Sequence, residues 1–517
     1  MNTLNRRRFL AGAAATTYSL TAHAAGLLEA AEGAPARRPN ILFLCSDQHI
    51  GMAMGVNGHA IVKTPNMDKL AAVGTNFRTV YTGSPVCSPG RAGLMTGMYP
   101  SDVNSYCNST PFDGHGPTWA TRLRDSGYDC WATGKLDLWH DRDLGFREVD
   151  TDHEHSESPD VTSLFRSPLC WRAEDRSDVE GTFTETKHED EARAETGIGF
   201  LKSRKATDAK PWCAWIGFTE PHPKFRAKPE YLQMYPPETM PLPEMPAGYL
   251  ERRHTEFQML ASYHHTQLPI AEDRVRRARA AYYGMITELD KTIGRVLDAL
   301  DASGERENTI IVYTSDHGEM LGDHGLWLKN TLLENASRVP LIVSGPGIPA
   351  GKTVDAPIGH VDWIRTLMEI CGSKTDGLRG RSLQAVLKGD DAAPEFVYSE
   401  SHSEGNATGS FMIRKGKWKY IYFTGAEPLL FDMSQAMGEY KNVAPQNKAV
   451  VEEMHAHLVS VVEPDTITWN AFHKQEDVLR GLVKSETKEQ FKKNLTKRLG
   501  SIQGTVFTER LYAGARG

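Results

Sequence analysis

Residues Ser84 to Gly97 read SPVCSPGRAGLMTG, with Cys87 directly before Ser88, Pro89, Gly90 and Arg91. Ser88 suits a helix N-cap and Pro89 suits the first helical turn. A helix is therefore expected to open here, with Arg91, Leu94 and Met95 in its first turns. The free N–H groups of a helix start attract anions. Cys87 would sit at that mouth, with a guanidinium one turn in. A lone cysteine beside a capped helix is more often a packed apolar residue than a reactive one. The rest of the chain has to decide between these readings.

Four other segments end in residues that can do chemistry. NILFLCSDQH delivers Asp47 and Gln48, and YDCWATGKLD delivers Lys135 and Asp137. PWCAWIGFTEPHPKF delivers Glu220 and His222, and NTIIVYTSDHGEMLGDHG delivers Asp316 and His317. Each is a short apolar run of buried-strand character followed at once by polar residues. Helical patterns lie between them. Met285, Ile286, Leu289, Ile293, Val296 and Leu300 share one apolar face, which ends at Gly304. Strands alternating with helices predict an α/β fold with a mostly parallel central sheet. Ligands gather at the carboxyl ends of such strands. Four strand ends thus point to one site, with Cys87 on a neighbouring loop.

The chain of 517 residues is long enough for one large domain or two ordinary ones. Its formal charge of −7 argues against nucleic acid as a main partner. The seven cysteines are widely spaced and form neither a zinc pattern nor a dense disulfide framework. The start, MNTLNRRRFLAGAAATTYSLTAHAAG, is basic, then weakly apolar, then small at Ala22-His23-Ala24. This fits a twin-arginine signal peptide over 1–24, with the Tat translocase as partner and a periplasmic or secreted destination. Residues 25–37 read as a linker. No later stretch is long and apolar enough for a stable membrane anchor.

Residues 38–380 are expected to form the catalytic domain and 381–462 a C-terminal subdomain with an antiparallel sheet, from FMIRKGKWKYIYFTG and PLLFDMSQ. Residues 463–517 read as a basic, partly helical extension that wraps the body or meets another subunit. His153-Glu154-His155 has metal-ligand spacing, but nothing strand-like presents it, so a solvated insertion over 141–203 is expected. The proline-rich run after His222 is expected to be a surface excursion, and the pocket walls are expected from 141–203, from 223–270 and from the loop SESHSEGNATG. Ser401, His402 and Asn406 are weak candidates for substrate contact.

Cys-x-Pro-x-Arg followed by Leu94, Thr96 and Gly97 resembles the type I, formylglycine-dependent sulfatase signature of the alkaline phosphatase superfamily. RPNILFLCSDQH, GYDCWATGK, FTEPHPKF, YYGMITELDKTIGRVLDAL, TSDHGEMLGDHGLWLKN, RVPLIVSGPG and LRGRSL resemble sulfatase segments in order, from about Arg38 to Ala444. The motif style is similar to the branch of choline sulfatases, phosphonate monoester hydrolases and polysaccharide sulfatases. The resemblance implies an alkaline phosphatase-like fold and a sulfuric ester hydrolase. It implies conversion of Cys87 to Cα-formylglycine by a sulfatase-maturing enzyme, with the hydrated aldehyde as nucleophile. It implies one divalent metal on Asp47, Gln48, Asp316, His317 and the modified Cys87. Oxygen-rich ligation favours Ca²⁺, and the His317 nitrogen admits Mn²⁺. Arg91, Lys135 and Lys329 would form the cationic clamp, and His222 would contact sulfate or protonate the leaving oxygen.

One departure stands out. Where many members read Gly-Lys-x-His, this chain reads Gly134-Lys135-Leu136-Asp137, with His140 three residues later. Asp137 or His140 could take the base role, Asp137 could read substrate, or activity could be lost. The leading expectation is release of inorganic sulfate from a sulfated carbohydrate or small molecule. Alternatives are choline sulfate, a phosphonate monoester or phosphodiester, and a non-catalytic sulfoglycan-binding homologue.

Overall fold

Along β1 (Asn40–Ser46), Ile41, Phe43 and Cys45 pack on one face with Trp119, Trp363 and Leu367, while Leu42 and Leu44 pack on the other with Leu289, Ile293 and Leu300. Burial on both faces is why this strand reads as a continuous apolar run. In this computed structural model the described residues are 37–514, apart from 158, 167–169, 180–188, 206, 208–209, 391–392, 403 and 436. The signal peptide expected over 1–24, and the linker up to residue 36, lie outside them.

The remaining strands of the central sheet are β2 (Thr75–Tyr81), β3 (Asp129–Lys135), β4 (Arg147–Asp152), β5 (Trp212–Gly217), β6 (Thr309–Ser315), β7 (Arg338–Ser344), β8 (Lys352–Val354) and β9 (Ile358–Gly359). The order is β4-β3-β5-β1-β6-β7-β2-β8, with β9 also on β2. β4, β3, β5, β1 and β6 run parallel to one another, and β7 runs against both β6 and β2. The helices that matter for the site are α1 (Cys87–Thr96), α2 (Glu154–Glu157), α3 (Ala173–Val179), α4 (Glu189–Lys202) and α5 (Glu272–Ser303). The apolar stripe of α5 covers one face of the sheet, and Gly304 caps it in the left-handed conformation that glycine adopts without steric cost.

A second sheet follows, β10 (Val397–Ser401), β11 (Ser410–Lys415), β12 (Trp418–Phe423) and β13 (Ala426–Asp432), antiparallel throughout and in sequence order. The chain ends in α6 (Lys448–Val461), α7 (Pro464–Ser485), α8 (Lys488–Leu499) and α9 (Ser501–Gly514). Phe491, Leu495 and Leu499 of α8 pack with Val161 and Phe165, so the last segment lies against the body of this chain. Among the described residues no helix is long and apolar enough to cross a membrane. All seven cysteines are buried and unbridged.

Candidate active site

The parallel registers bring the four polar strand ends level. Cys45 sits opposite Gly217, Ser46 opposite Ser315, and Gly134 opposite Gly217. Two glycines permit the closeness. A Cβ on Gly217 would lie 2.0 Å from the Lys135 carbonyl oxygen. A Cβ on Gly90 would lie 2.7 Å from the Ser84 carbonyl oxygen and 3.1 Å from that of Asp316. The helix of Cys87 can therefore press onto the end of β6. That helix begins two residues earlier than the capping pattern predicts. Val86 is the N-cap and makes no side-chain cap, and Cys87 is the first helical residue. Ser88 instead turns its hydroxyl to Asp137, donating to Oδ2 at 3.2 Å.

Asp47, Cys87, Asp316 and His317 are all buried, and one donor atom from each lies within 4.8 Å of the others. His317 Nε2 is 3.3 Å from Cys87 Sγ, 3.6 Å from Asp47 Oδ1 and 3.8 Å from Asp316 Oδ2. Its Nδ1 donates to the Gly318 carbonyl at 3.0 Å, which leaves the Nε2 lone pair facing the cluster. Burial, opposed by the carboxylates, pushes His317 down to about 4, so the ring is a neutral ligand at ordinary pH. Two carboxylates, a neutral imidazole and the side chain at 87 fit a divalent cation. Gln48 stands beside them in the left-handed region, at φ 68°. Its amide donates to Glu319 and its Oε1 accepts from Lys329 Nζ at 2.8 Å.

Three cations surround this cluster. Arg91 Nε lies 2.8 Å from Asp316 Oδ2, and its two terminal nitrogens reach the Lys135 carbonyl and Asp47. Lys135 Nζ lies 2.8 Å from Asp47 Oδ2. Lys329 Nζ lies 3.1 Å from Cys87 Sγ and donates to His222 Nε2 at 2.8 Å. Burial works to raise Asp47, but Lys135, His222, Arg91 and Lys329 together hold it well below the usual carboxylate range. Burial and then the Lys329 charge hold His222 well below its ordinary value. Burial, helped by Asp47 and opposed by Lys329, pushes the Cys87 thiol far up. Burial thus disfavours the thiolate form of an unmodified Cys87.

The structure corrects the reading of the Asp137 region. His140 is exposed and bonds to Ser156, so it does not reach in. His153 and His155 are buried rather than solvated. His153 sits between the Leu138 carbonyl and Glu148. His155, at the start of α2, places Nδ1 2.7 Å and 2.6 Å from the two oxygens of the fully buried Asp137. Asp137 itself has φ 56° and donates its N–H to the Asp152 carbonyl, which ties it to the end of β4.

Cys87, Lys135, His155, His222 and Lys329 line one polar cavity of about 340 Å³. The proline-rich run contributes nothing beyond Pro223 and Lys224 among the described lining residues. The rest of the wall comes from Asp160, Arg172, Glu174 and Asp175 in 141–203 and from Glu404 in the loop SESHSEGNATG, two of the regions expected to wall the pocket, and from Lys497 and Arg498 of α8, which were not expected there. These charges pair with one another: Arg172 with Asp160 and Asp175, and Arg498 with Glu174. Ser401, His402 and Asn406 are buried beside the second sheet and are not among the lining residues. His402 bonds to Glu400 at 2.9 Å, and Asn406 donates to the Asn330 carbonyl. Glu404, three residues beyond Ser401, reaches the cavity and accepts from Asn330 Nδ2 at 2.9 Å.

The fold and the buried cluster of carboxylates, histidine and cations mark a candidate active site, and comparison with known proteins gives the family. The Sulfatase family model matches residues 39–373, and the chain belongs to that family, an enzyme class. A model described as N-sulphoglucosamine sulphohydrolase, C-terminal, matches residues 322–464. A choline-sulfatase of Rhizobium meliloti (strain 1021) is 30% identical over 439 residues, covering 80% of this chain and 84% of that protein. The phosphonate monoester hydrolase of Agrobacterium radiobacter superposes with a TM-score of 0.70 at 27% identity, over 82% of this chain and 95% of that one. BT1596, a 2-O GAG sulfatase, superposes with a TM-score of 0.65 at 26% identity, over 84% and 92%.

Proposed function

We propose that this sulfatase releases inorganic sulfate from a sulfated carbohydrate outside the cytoplasm. The observation that carries the reading is the meeting of Cys87 with two carboxylates, a neutral histidine and three cations in one buried cluster. Oxidised to Cα-formylglycine by a maturing enzyme, position 87 supplies an oxygen nucleophile as the hydrated aldehyde. A divalent cation, Ca²⁺ or Mn²⁺, held by Asp47, Asp316, His317 and residue 87 with Gln48 beside them, supplies charge stabilisation to oxygen.

The chain's own side chains do the rest. Arg91 fixes Asp316 and Asp47 in place. Lys135 and Lys329 neutralise the ester's oxygens as charge builds on them. The Lys329–His222 pair holds a proton on the side where the alcohol oxygen departs. The charged, mutually paired wall suits hydroxyl-rich and anionic groups. Among the described lining residues there is no Trp, Tyr or Phe to cage a quaternary ammonium. That favours a sugar over choline sulfate. The arginine run at Arg6 to Arg8 supports export through the twin-arginine route to the periplasm or beyond.

A second reading, hydrolysis of a phosphonate ester, draws on the similarity to the phosphonate monoester hydrolase. Matured enzyme assayed on sulfate and phosphonate esters with the same aryl leaving group separates the two. A higher kcat/KM on the sulfate ester, with sulfate released from sulfated oligosaccharides, supports the first reading. A preference for the phosphonate overturns it.

A further inference from the structure

We propose that His155 is the proton acceptor of this site, with Asp137 as its positioning residue. The proposal rests on the sulfate-ester reading above. Both oxygens of Asp137 face His155 Nδ1, and the His155 backbone N–H donates to Asp137 Oδ1 at 3.2 Å. A carboxylate on Nδ1 fixes the proton there and leaves the Nε2 lone pair as the basic atom. Among the described residues no hydrogen-bond partner takes that Nε2, and the ring lines the cavity with Cys87. Ser88 Oγ joins Asp137 to the residue next to Cys87, so the dyad is fixed to the helix that presents position 87.

His317 and His222 are committed elsewhere, whereas His264, like His155, holds Nδ1 on a carboxylate and leaves Nε2 without a partner among the described residues. His317 faces the ligand cluster, and His222 Nε2 accepts from Lys329. His264 shares its Asp175 with Arg172 and has no link to the Cys87 helix through Ser88. A dyad that merely stapled α2 to α1 would need no basic nitrogen turned toward the cavity.

The step balances without a further reactant. The sulfur–oxygen bond to the alcohol breaks with its electron pair on the alcohol oxygen, and a new sulfur–oxygen bond forms to the attacking hydroxyl oxygen. That hydroxyl's proton goes to His155 Nε2 and from there to water in the cavity. The Lys329–His222 pair supplies the alcohol's proton and is reprotonated from solvent. The sulfate is then bound to residue 87 through that oxygen. The carbon–oxygen bond breaks with its electron pair on the sulfate, and the second hydroxyl becomes the aldehyde carbonyl and gives its proton to water. One water rehydrates the aldehyde, so that each turnover consumes one water and releases one proton with the sulfate dianion.

The groups that act on the ring are Asp137 and Lys135 at the end of β3, Glu154 on its own helix and Asp160 beyond it, while Arg91 of α1 acts on Asp137. Burial lowers His155, but the Asp137 carboxylate outweighs it and sets the group above its ordinary value. A base works unprotonated, so kcat/KM on 4-nitrophenyl sulfate should fall as pH drops through that raised value. In His155→Gln the acid limb should vanish and kcat should drop by about 10²- to 10⁴-fold. In Asp137→Asn the limb should move to lower pH, because the carboxylate that raised it is gone. Nitrogen NMR of the full-length protein with Cys87 unconverted should find the His155 proton on Nδ1 and a titration that shifts down in Asp137→Asn. That spectrum decides the matter even where His155→Gln fails to fold. Unchanged kcat and limb in His155→Gln, a limb that follows His264→Gln, or a proton found on Nε2 would overturn the proposal. A matured parent that hydrolyses neither sulfate nor phosphonate esters sinks the sulfate-ester reading instead, and the spectrum still judges the dyad.

Discussion

Lys329 Nζ lies 3.1 Å from Cys87 Sγ, and the same ammonium reaches Gln48 Oε1 and His222 Nε2 at 2.8 Å each. Its three N–H groups are thereby matched to three partners that converge from β1, from the loop after β5 and from α1. An ordinary surface lysine has no such fixed arrangement.

Replacing that ammonium should cost activity more than fold. Lys329→Met keeps the stem and loses the charge, so kcat should fall by about 10²- to 10³-fold, the range of one oxyanion-stabilising donor. Steady-state kinetics on an aryl sulfate check this. An unchanged kcat would remove Lys329 from the clamp.

Asp316→Asn should weaken both metal and fold. Asp316 is the 2.8 Å partner of Arg91, whose side chain is 1% exposed. Leaving that guanidinium underpaired should cost about 3–5 kcal/mol. Metal content by elemental analysis should fall with the melting temperature. Full metal occupancy in the variant would exclude Asp316 as a ligand.

The Asp137–His155 pair should also stabilise the fold in a defined pH window. Burial opposes both charges, yet each partner favours the charged form of the other. The raised His155 contributes stability that is full below its unfolded value, about 6.5, and is lost as pH rises through the folded value. The depressed Asp137 contributes above about 3.9 and loses it as pH falls further. The melting-temperature gap between the parent and His155→Gln should therefore be wider at pH 6 than at pH 9. A gap independent of pH contradicts the ion pair.

Lys497 and Arg498 of the final helices reach the cavity wall. Their double alanine variant should raise KM for a sulfated oligosaccharide by about 5-fold, the equivalent of one exposed ion pair at about 1 kcal/mol. KM for a small aryl sulfate should move less. Equal changes on both substrates would place these residues outside substrate recognition.

The strand ends were legible because their chemistry is local. Asp47, Lys135, His222 and Asp316 each follow an apolar run, and parallel pairing brings such ends together. Cys87 was legible as the start of a helix, although Val86 rather than Ser88 proved to be its N-cap. What stayed hidden depends on long-range packing. His155 meets Asp137 because β4 pairs with β3 and returns the chain to the β3 end, and no spacing rule encodes that. Its neighbour His140, closer in sequence to Asp137, turns outward to Ser156. Glu404 and Arg498 reach the cavity from more than two hundred residues beyond the end of β3. Glu319, which orients Gln48 and binds the backbone of Leu321 and Leu328, lay within a quoted motif with no feature to single it out.

Mass spectrometry of the peptide Thr79–Arg91, from protein produced with a sulfatase-maturing enzyme, tests the nucleophile directly. If position 87 is the precursor, Cys87 should have lost its sulfur and carry an aldehyde that traps hydrazides. A Cys87 that remains a thiol, while a control sulfatase is converted in the same cells, contradicts a formylglycine nucleophile at this site.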